Sequence, residues 1–178
     1  MVLVGEKNCT AAEYKQLYEF TINYLRDTKK LHNLLIAYSP SDVQTPAHYL
    51  ERYPGDGYVD VLGFDVYYYG DGSAFKGMIT TNLKVLTEVA RAHRKLPALT
   101  ETGQERLPDA SWWTKTLLPL IADYQLSYVL VWRNGRPDHY YAPYPGQASA
   151  ADFQAFAKDK KVLMEKQIAP LKIYSKNL

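Results

Sequence analysis

Residues that build disulfides, metal sites and nucleotide sites are scarce in this chain of 178 residues. A single cysteine, Cys9, excludes an intramolecular disulfide and a zinc site made of cysteines. The four histidines are scattered, and no two of them are four residues apart on one helix. No glycine-rich phosphate loop follows an apolar run, which argues against a nucleotide-binding fold. We therefore expect neither a metal nor a cofactor.

The chain also lacks an excess of charge and a long apolar run. Its formal net charge is +2, so it has no electrostatic footprint for nucleic acid. No stretch reaches the length of a membrane span. The apolar start Met1–Val4 is cut short by Gly5-Glu6-Lys7, so we expect no signal peptide in these residues. The chain is then either intracellular or without its true N-terminus.

Aromatic residues, by contrast, are abundant, with 16 tyrosines and three tryptophans. Such residues stack on flat polar ligands such as sugar rings and hydrogen-bond to them, although many must serve the packing of the core. Hydrophobic residues make up 47% of the chain, which is ordinary for a globular protein with a core. No linker divides the sequence, so we expect one domain over residues 1–178.

Strand-like and helix-like segments alternate along the chain. The capping box Thr10-Ala11-Ala12-Glu13 opens a helix. Longer helical segments are predicted at 74–94, 108–124 and 150–166. A continuous apolar run predicts a buried strand at about 33–38, and further strands are predicted at about 59–66, 96–101 and 127–132. This alternation predicts an α/β fold whose strands are parallel and flanked by helices. Four strands are too few to close an eight-stranded barrel.

The segment Lys95–Arg106 is central to the functional prediction. The apolar run Leu96–Leu99 leads into Thr100-Glu101-Thr102-Gly103. A buried strand that carries a carboxylate at its C-terminal end is how a β/α barrel presents a catalytic group. A helix cap or a solvated loop carboxylate is the alternative explanation of Glu101.

Two other strands end in polar or aromatic residues. Asp65 and Tyr67 are two residues apart and so point the same way, and Trp132 and Arg133 end the last strand. Because parallel strands bring their C-terminal ends to one face, these residues and Glu101 are expected to form a carbohydrate site. Singly, Asp65 could cap a loop, Trp132 could lie in the core and Arg133 could form a surface ion pair.

Four segments resemble the β-mannanases of glycoside hydrolase family 26. They are NLLIAYSPSD (33–42), YLERYPGDGYVDVLGFDVYYYG (49–70), LPALTETG (96–103) and YVLVWRNG (128–135). They occur in the same order as in the second half of that family's barrel. The resemblance implies a retaining (β/α)₈ glycosidase that acts on β-mannan and is secreted, periplasmic or on the cell surface.

The resemblance also assigns roles to the site residues. Glu101 matches the nucleophile at the end of strand seven. Asp65 and Tyr67 match substrate-binding residues at the end of strand six, with Tyr67 beside the nucleophile. Trp132 and Arg133 match the sugar-binding pair at the end of strand eight. Other β-1,3- or β-1,4-glycans stay open as substrates.

One part of the family pattern is missing from the sequence. The family's general acid/base is a Glu that follows a His at the end of strand four, and no His-Glu pair occurs here. The opening VLVGEKNCTAAEYKQLY resembles the segment shortly after that acid. We therefore expect the C-terminal half of a (β/α)₈ TIM barrel, about strands 5–8.

This expectation leaves two functions open. One is a retaining endo-β-1,4-mannanase fragment that is inactive alone, and the other is a non-catalytic carbohydrate-binding or structural half-barrel. In either case the open sheet edges and exposed apolar interior are expected to be hidden by self-association, since they are hazards in a monomer.

Overall fold

The computed structural model describes residues 9–70 and 72–171. Their central feature is a four-stranded parallel sheet in the order β1-β2-β3-β4, with helices beside it. The strands are β1 (Ala37–Tyr38), β2 (Val61–Tyr68), β3 (Leu96–Gln104) and β4 (Val129–Val131). The α-helices are α1 (Ala11–Asn23), α2 (Pro46–Leu50), α3 (Gly72–His93), α4 (Leu118–Ile121), α5 (Ala150–Phe156) and α6 (Glu165–Ile168). The predicted α/β fold with parallel strands is confirmed.

The described residues form two compact units. The first contains the residues up to Thr102 together with Tyr124–Leu130, and the second contains Gly103–Asp123 and the residues from Val131 onward. Each unit is described separately below. The single domain over residues 1–178 stays a prediction.

The first helix begins where the capping box predicts. Glu13 N–H donates to Thr10 Oγ1 at 3.2 Å, and Thr10 N–H donates to Glu13 Oε2 at 2.7 Å. Two of the N-terminal amides, which have no partner within the helix, are thereby satisfied. On the inner side of α1, Tyr18 Oη donates to the carbonyl of Ala37 at 3.1 Å and so joins the helix to β1.

The core of the first unit lies between β2 and α3. Six consecutive residues of β2, Val61–Val66, are buried, and the strand predicted over about 59–66 is present at 61–68. Leu62 and Phe64 have no exposed surface. The helix α3 contributes a buried stripe at helical spacing that includes Ile79, Leu83 and Leu86. This packing holds the C-terminal end of β2 in place beside β3.

Three strands differ in length from the prediction, and the last of them, predicted over 127–132, consists only of Val129–Val131. The first was predicted over 33–38 but consists only of Ala37–Tyr38, because the Ile36 amide donates to the Asp60 carboxylate at 2.8 Å and Leu34 and Leu35 are exposed. The third was predicted to end at Glu101 but continues to Gln104. Glu101 therefore lies three residues before the end of its strand.

Two helices are shorter than their patterns suggest. The segment predicted as a helix over 108–124 contains a π-helical turn, Trp113–Leu117, before α4. Pro119 lacks an amide hydrogen, so a regular hydrogen bond to the carbonyl four residues earlier is impossible at that point. The helix predicted over 150–166 ends at Phe156, and a turn follows in which Asp159 Oδ1 accepts from the Lys161 amide at 2.9 Å.

Replacing Gly63 with alanine is expected to destabilise the protein by about 1–3 kcal/mol. A Cβ atom at Gly63 would lie 2.5 Å from Thr100 Oγ1 and closer still to its methyl group. Thr100 cannot simply turn away, because its hydroxyl donates to the carbonyl of Phe64 at 2.9 Å. The midpoint of urea unfolding measures the effect.

Gly77 is the matched control for this substitution. It lies within α3, and a Cβ atom there would meet nothing within 4 Å. Gly77→Ala is expected to stabilise the protein by about 0.5–1 kcal/mol through the lower backbone entropy of alanine in the unfolded chain. Equal urea midpoints for Gly63→Ala and the wild type would contradict the predicted clash.

Candidate active site

The centre of the candidate site is a hydrogen bond between two neighbouring strands. Tyr67 Oη, near the end of β2, donates to Glu101 Oε2 on β3 at 2.7 Å. Both side chains are partly buried. The bond fixes the orientation of the carboxylate, and a hydrogen bond to an ionised acceptor is stronger than one between neutral groups. The predicted contact of Tyr67 with Glu101 is thus present in the structure.

Asp65 lies beside this pair on the same strand as Tyr67. Its side chain is buried, with 8% of its surface exposed. Ser39 Oγ, which directly follows β1, lies 2.5 Å from Asp65 Oδ1. Thr100 Oγ1 lies 3.4 Å from the same oxygen. Three adjacent strands therefore contribute to the surroundings of one carboxyl group.

Ser39, Asp65 and Thr100 form a connected group of polar side chains. Ser39 Oγ donates to Asp65 Oδ1, and Ser39 Oγ and Thr100 Oγ1 lie within hydrogen-bond distance of each other. Thr100 Oγ1 also donates to the carbonyl of Phe64 at 2.9 Å.

The electrostatic surroundings of Asp65 shift its pKa upward. Burial raises the pKa of Asp65 above its usual value, and the nearby Glu101 carboxylate raises it further. The hydrogen bonds from Ser39 and Thr100 act in the opposite direction without cancelling the effect. Asp65 therefore holds its proton to a higher pH than an exposed aspartate does.

A pH-dependent difference in stability between the wild type and Asp65→Asn follows. We expect the free energy of unfolding of the wild type, relative to Asp65→Asn, to fall as the pH rises. The free energy difference begins to fall near the pKa of an aspartate in an unfolded chain, about 3.9, and stops falling above the raised pKa of Asp65 in the native protein. In this interval the native state binds the proton more tightly than the unfolded chain does. Urea unfolding of both proteins across this range measures it.

Asp123 provides a control for which the expected change of stability with pH has the opposite sign. Its hydrogen bond and ion pair with Lys161, at 2.8 Å, hold the pKa of Asp123 below its usual range. The wild type should therefore become slightly more stable relative to Asp123→Asn as the pH rises through the acid range. If the difference in free energy of unfolding between the wild type and Asp65→Asn stays constant with pH, the pKa of Asp65 is not raised in the native protein.

The other two predicted site residues belong to the second unit. The guanidinium group of Arg133 lies 5.9 Å from the centre of the Trp132 ring, within the range of a cation–π contact. The following residue, Asn134, accepts from the amides of Tyr141 and Ala142 at 3.0 and 2.9 Å and so braces the loop after β4. That Trp132 and Arg133 share a face with Glu101 stays a prediction.

The sequence analysis did not select several residues that the structure places in polar networks. Ser39 and Thr100 contact Asp65, although the sequence analysis selected neither of them. Ser39 could have been selected from the sequence, because it directly follows an apolar run and therefore lies at a strand end. In the second unit, His139 Nδ1 lies 2.8 Å from Glu105 Oε1. No sequence pattern links those two residues.

Residues 9–70 and 72–171 contain neither a cluster of potential metal ligands nor a helix suited to cross a membrane. Among residues 9–70 and 72–171, no group of three or more His, Cys, Asp or Glu side chains is arranged to hold a metal ion. No helix in this described part of the chain combines the length and apolarity needed to cross a bilayer. Glu101 and Asp65 instead provide two carboxyl groups, each hydrogen-bonded to a hydroxyl group, that could act as nucleophile, acid or base.

Comparisons with solved structures identify the class of fold. A GH26 β-mannanase from Bacteroides ovatus is 50% identical and superposes with a TM-score of 0.87, over 90% of this chain and 47% of that one. A modular endo-β-1,4-mannanase from Cellulomonas fimi is 35% identical with a TM-score of 0.81, over 92% of this chain and 39% of that one. These neighbours are TIM barrels, and this chain corresponds to about half of such a barrel.

Comparisons of sequence identify the family. The family model "Glycosyl hydrolase family 26" matches residues 3–130. A mannan endo-1,4-β-mannosidase of Bifidobacterium adolescentis is 35% identical over 90% of this chain and 18% of its own length. The chain therefore belongs to glycosyl hydrolase family 26 and is mannanase-like. It spans less than half the length of each of these relatives.

Proposed function

We propose that this chain carries the nucleophile side of a retaining β-mannanase site, with Glu101 as the nucleophile. The observation that carries the proposal is the 2.7 Å hydrogen bond from Tyr67 to Glu101 at the C-terminal part of adjacent parallel strands. Catalytic groups of β/α barrels lie at that end of the strands. Similarity to proteins named as β-mannanases supports β-1,4-linked mannan as the substrate.

The proposed reaction begins with attack by Glu101 Oε1 on the anomeric carbon of the bound sugar. A covalent glycosyl–enzyme ester forms while the bond to the leaving sugar oxygen breaks, and that oxygen takes a proton from a general acid. Tyr67 holds the carboxylate in the attacking orientation. A water molecule, deprotonated by the same acid/base group, then releases the sugar and restores Glu101.

The general acid is the part of this scheme that the chain does not contain. Retaining hydrolysis requires a second carboxyl group about 5–5.5 Å from the nucleophile. By the family resemblance this group is a Glu after a His, and the sequence has no such pair. We propose that Asp65, Trp132 and Arg133 bind the sugar and that the acid comes from residues outside these 178.

The missing acid favours a second candidate function, a non-catalytic half-barrel that binds β-mannan or a related polysaccharide. Both candidates predict binding of manno-oligosaccharides, so binding alone does not separate them. They differ in whether Glu101 reacts with a sugar. The test must therefore detect the covalent intermediate directly.

A mechanism-based inhibitor provides this test. A 2-deoxy-2-fluoro mannosyl fluoride has a leaving group that departs with little help from an acid, and its 2-fluoro group slows hydrolysis of the ester. Intact-mass spectrometry is expected to show one added sugar, and peptide mapping is expected to place it on Glu101. Glu101→Gln should remain unlabelled.

Glu88→Gln is the matched control, because Glu88 is an exposed carboxylate on α3 in the same unit. It should be labelled at the wild-type rate. A wild-type chain that binds manno-oligosaccharide but acquires no label would support the non-catalytic function. Label found on another carboxylate would overturn the role of Glu101.

A further inference from the structure

Asn82 is a polar member of the buried stripe of α3. Its neighbours in that stripe include Ile79, Leu83 and Leu86, and none of these four side chains has exposed surface. Burying a side-chain amide costs free energy unless its polar atoms are hydrogen-bonded, whereas an apolar side chain has no such requirement. An asparagine at this position therefore needs partners that offset the cost of its burial.

The side chain of Asn82 joins α3 to the β1–α2 loop, residues 39–45. Asn82 Oδ1 accepts from the amide of Val43 at 2.7 Å, and Asn82 Nδ2 donates to Asp42 Oδ1 at 3.3 Å. Nδ2 also donates to the carbonyl of Met78, one turn earlier in the same helix, at 2.8 Å. The bonds to Val43 and Asp42 hold the loop and add nothing to the helix itself.

The β1–α2 loop needs such an anchor because its backbone is strained at Asp42. This residue has a φ of +37°, in the left-handed region that disfavours residues other than glycine. A conformation of this kind persists only where the surrounding contacts determine it. The Asp42 carboxylate accepts from Gln44 Nε2 at 2.6 Å as well as from Asn82, so contacts within the loop and from α3 both stabilise the turn.

The other end of the β1–α2 loop contacts Asp65. The amide of Asp65 donates to the carbonyl of Pro40 at 3.1 Å, and Ser41 pairs with Asp65 in an isolated parallel bridge. Ser39 Oγ donates to the carboxyl group of Asp65. Asn82 therefore anchors one end of a loop whose other end holds both the backbone and the side chain of Asp65.

We propose that Asn82 is a positioning residue of the candidate site, which anchors the β1–α2 loop so that Ser39 stays hydrogen-bonded to Asp65. The route through the loop follows from the geometry. Its consequence for sugar binding rests on the role proposed above for Asp65.

The first test follows the ionisation of Asp65 by NMR of aspartate carboxyl carbons, assigned with Asp65→Asn. The hydrogen bond from Ser39 lowers the pKa of Asp65, so Ser39→Ala is expected to raise this pKa. Asn82→Ala should raise it as well, and the double variant should raise it no further than Ser39→Ala alone. Glu101 and Tyr128 are titratable groups that interact with Asp65, and none of these variants alters them.

Thr87→Ala is the matched control, because Thr87 also lies on α3. Its hydroxyl donates to the carbonyls of Leu83 and Lys84 in the same helix, at 2.8 and 3.1 Å. It should leave the pKa of Asp65 unchanged. If the pKa of Asp65 in Asn82→Ala lies at or below the wild-type value, or rises further in the double variant than in Ser39→Ala, the proposal is overturned.

Sugar binding is the second test, with manno-oligosaccharide as the probe and the 178-residue chain as the protein. Asn82→Ala is expected to lower the affinity at least about fivefold, but to have no effect in an Asp65→Asn background, because coupled residues are not additive. An equal loss in both backgrounds would overturn the route through Asp65. Unchanged affinity with a raised pKa of Asp65 would support the role of Asn82 and contradict only the sugar-binding role of Asp65.

A measurement on the wild type keeps the proposal testable even if Asn82→Ala does not fold. The amide of Val43 is hydrogen-bonded to Asn82, and Val43 is buried. We expect this amide to exchange its hydrogen at least about 100-fold more slowly than an unfolded peptide does. Exchange at the rate of an unfolded peptide would show that Asn82 does not hold the loop and would overturn the proposal.

Discussion

On the proposed role of Glu101 as nucleophile, replacing it with glutamine is expected to lower kcat at least about 10⁴-fold in a barrel completed with the complementary half, which is the part of a family 26 relative that this chain does not match. Removing a covalent nucleophile costs that much or more in other hydrolases. Glutamine has the shape of glutamate, and its carbonyl oxygen can still accept from Tyr67. The 2.7 Å hydrogen bond from Tyr67 can therefore be retained, although the carboxylate oxygen proposed to attack the sugar is replaced by an amide nitrogen. Initial rates on manno-oligosaccharide measure the effect.

The control for this prediction is again Glu88→Gln, which changes an exposed carboxylate on α3. It should keep the wild-type rate, and its urea midpoint should match that of Glu101→Gln if both variants fold. A Glu101→Gln enzyme that retained more than about 1% of the rate would assign the nucleophile to another residue.

The second large effect concerns the 178-residue chain by itself. We expect it to release no measurable oligosaccharide from polymeric mannan, although the same residues turn over the substrate once the complementary half is added. General acid assistance contributes roughly 10²–10⁴-fold, because the departing sugar oxygen needs a proton. We expect the loss to be larger still, because a half-barrel leaves the proposed site more open to water than a closed barrel does.

An activated aryl mannoside distinguishes two causes of inactivity, the lack of a general acid and a misfolded site. Its leaving group departs without a proton, so slow turnover by the chain alone, abolished by Glu101→Gln, is the expected result. Robust hydrolysis of polymeric mannan by the pure chain would show that one of its own residues serves as the acid. Asp65 would then be the first candidate, because its pKa is raised, and Asp65→Asn would test it.

Much of the architecture is determined by local patterns in the sequence. The capping box Thr10–Glu13 determines the start of α1, because its hydrogen bonds connect residues only three positions apart. The largely apolar segment Val61–Val66 favours a strand that is buried along its length, and all six residues are buried. The two-residue spacing of Asp65 and Tyr67 places both on one side of β2 whatever the neighbours of that strand are.

The tertiary structure decided which of these residues meet. The hydrogen bond from Tyr67 to Glu101 joins positions 34 residues apart, and the contacts of Ser39 with Asp65 and Thr100 join positions 26 and 61 residues apart. A strand's own pattern reports which side chains are buried, but it carries no information on the register of the strand beside it. The length of β1 was decided in the same way, because a strand at a sheet edge extends only as far as its neighbour pairs with it.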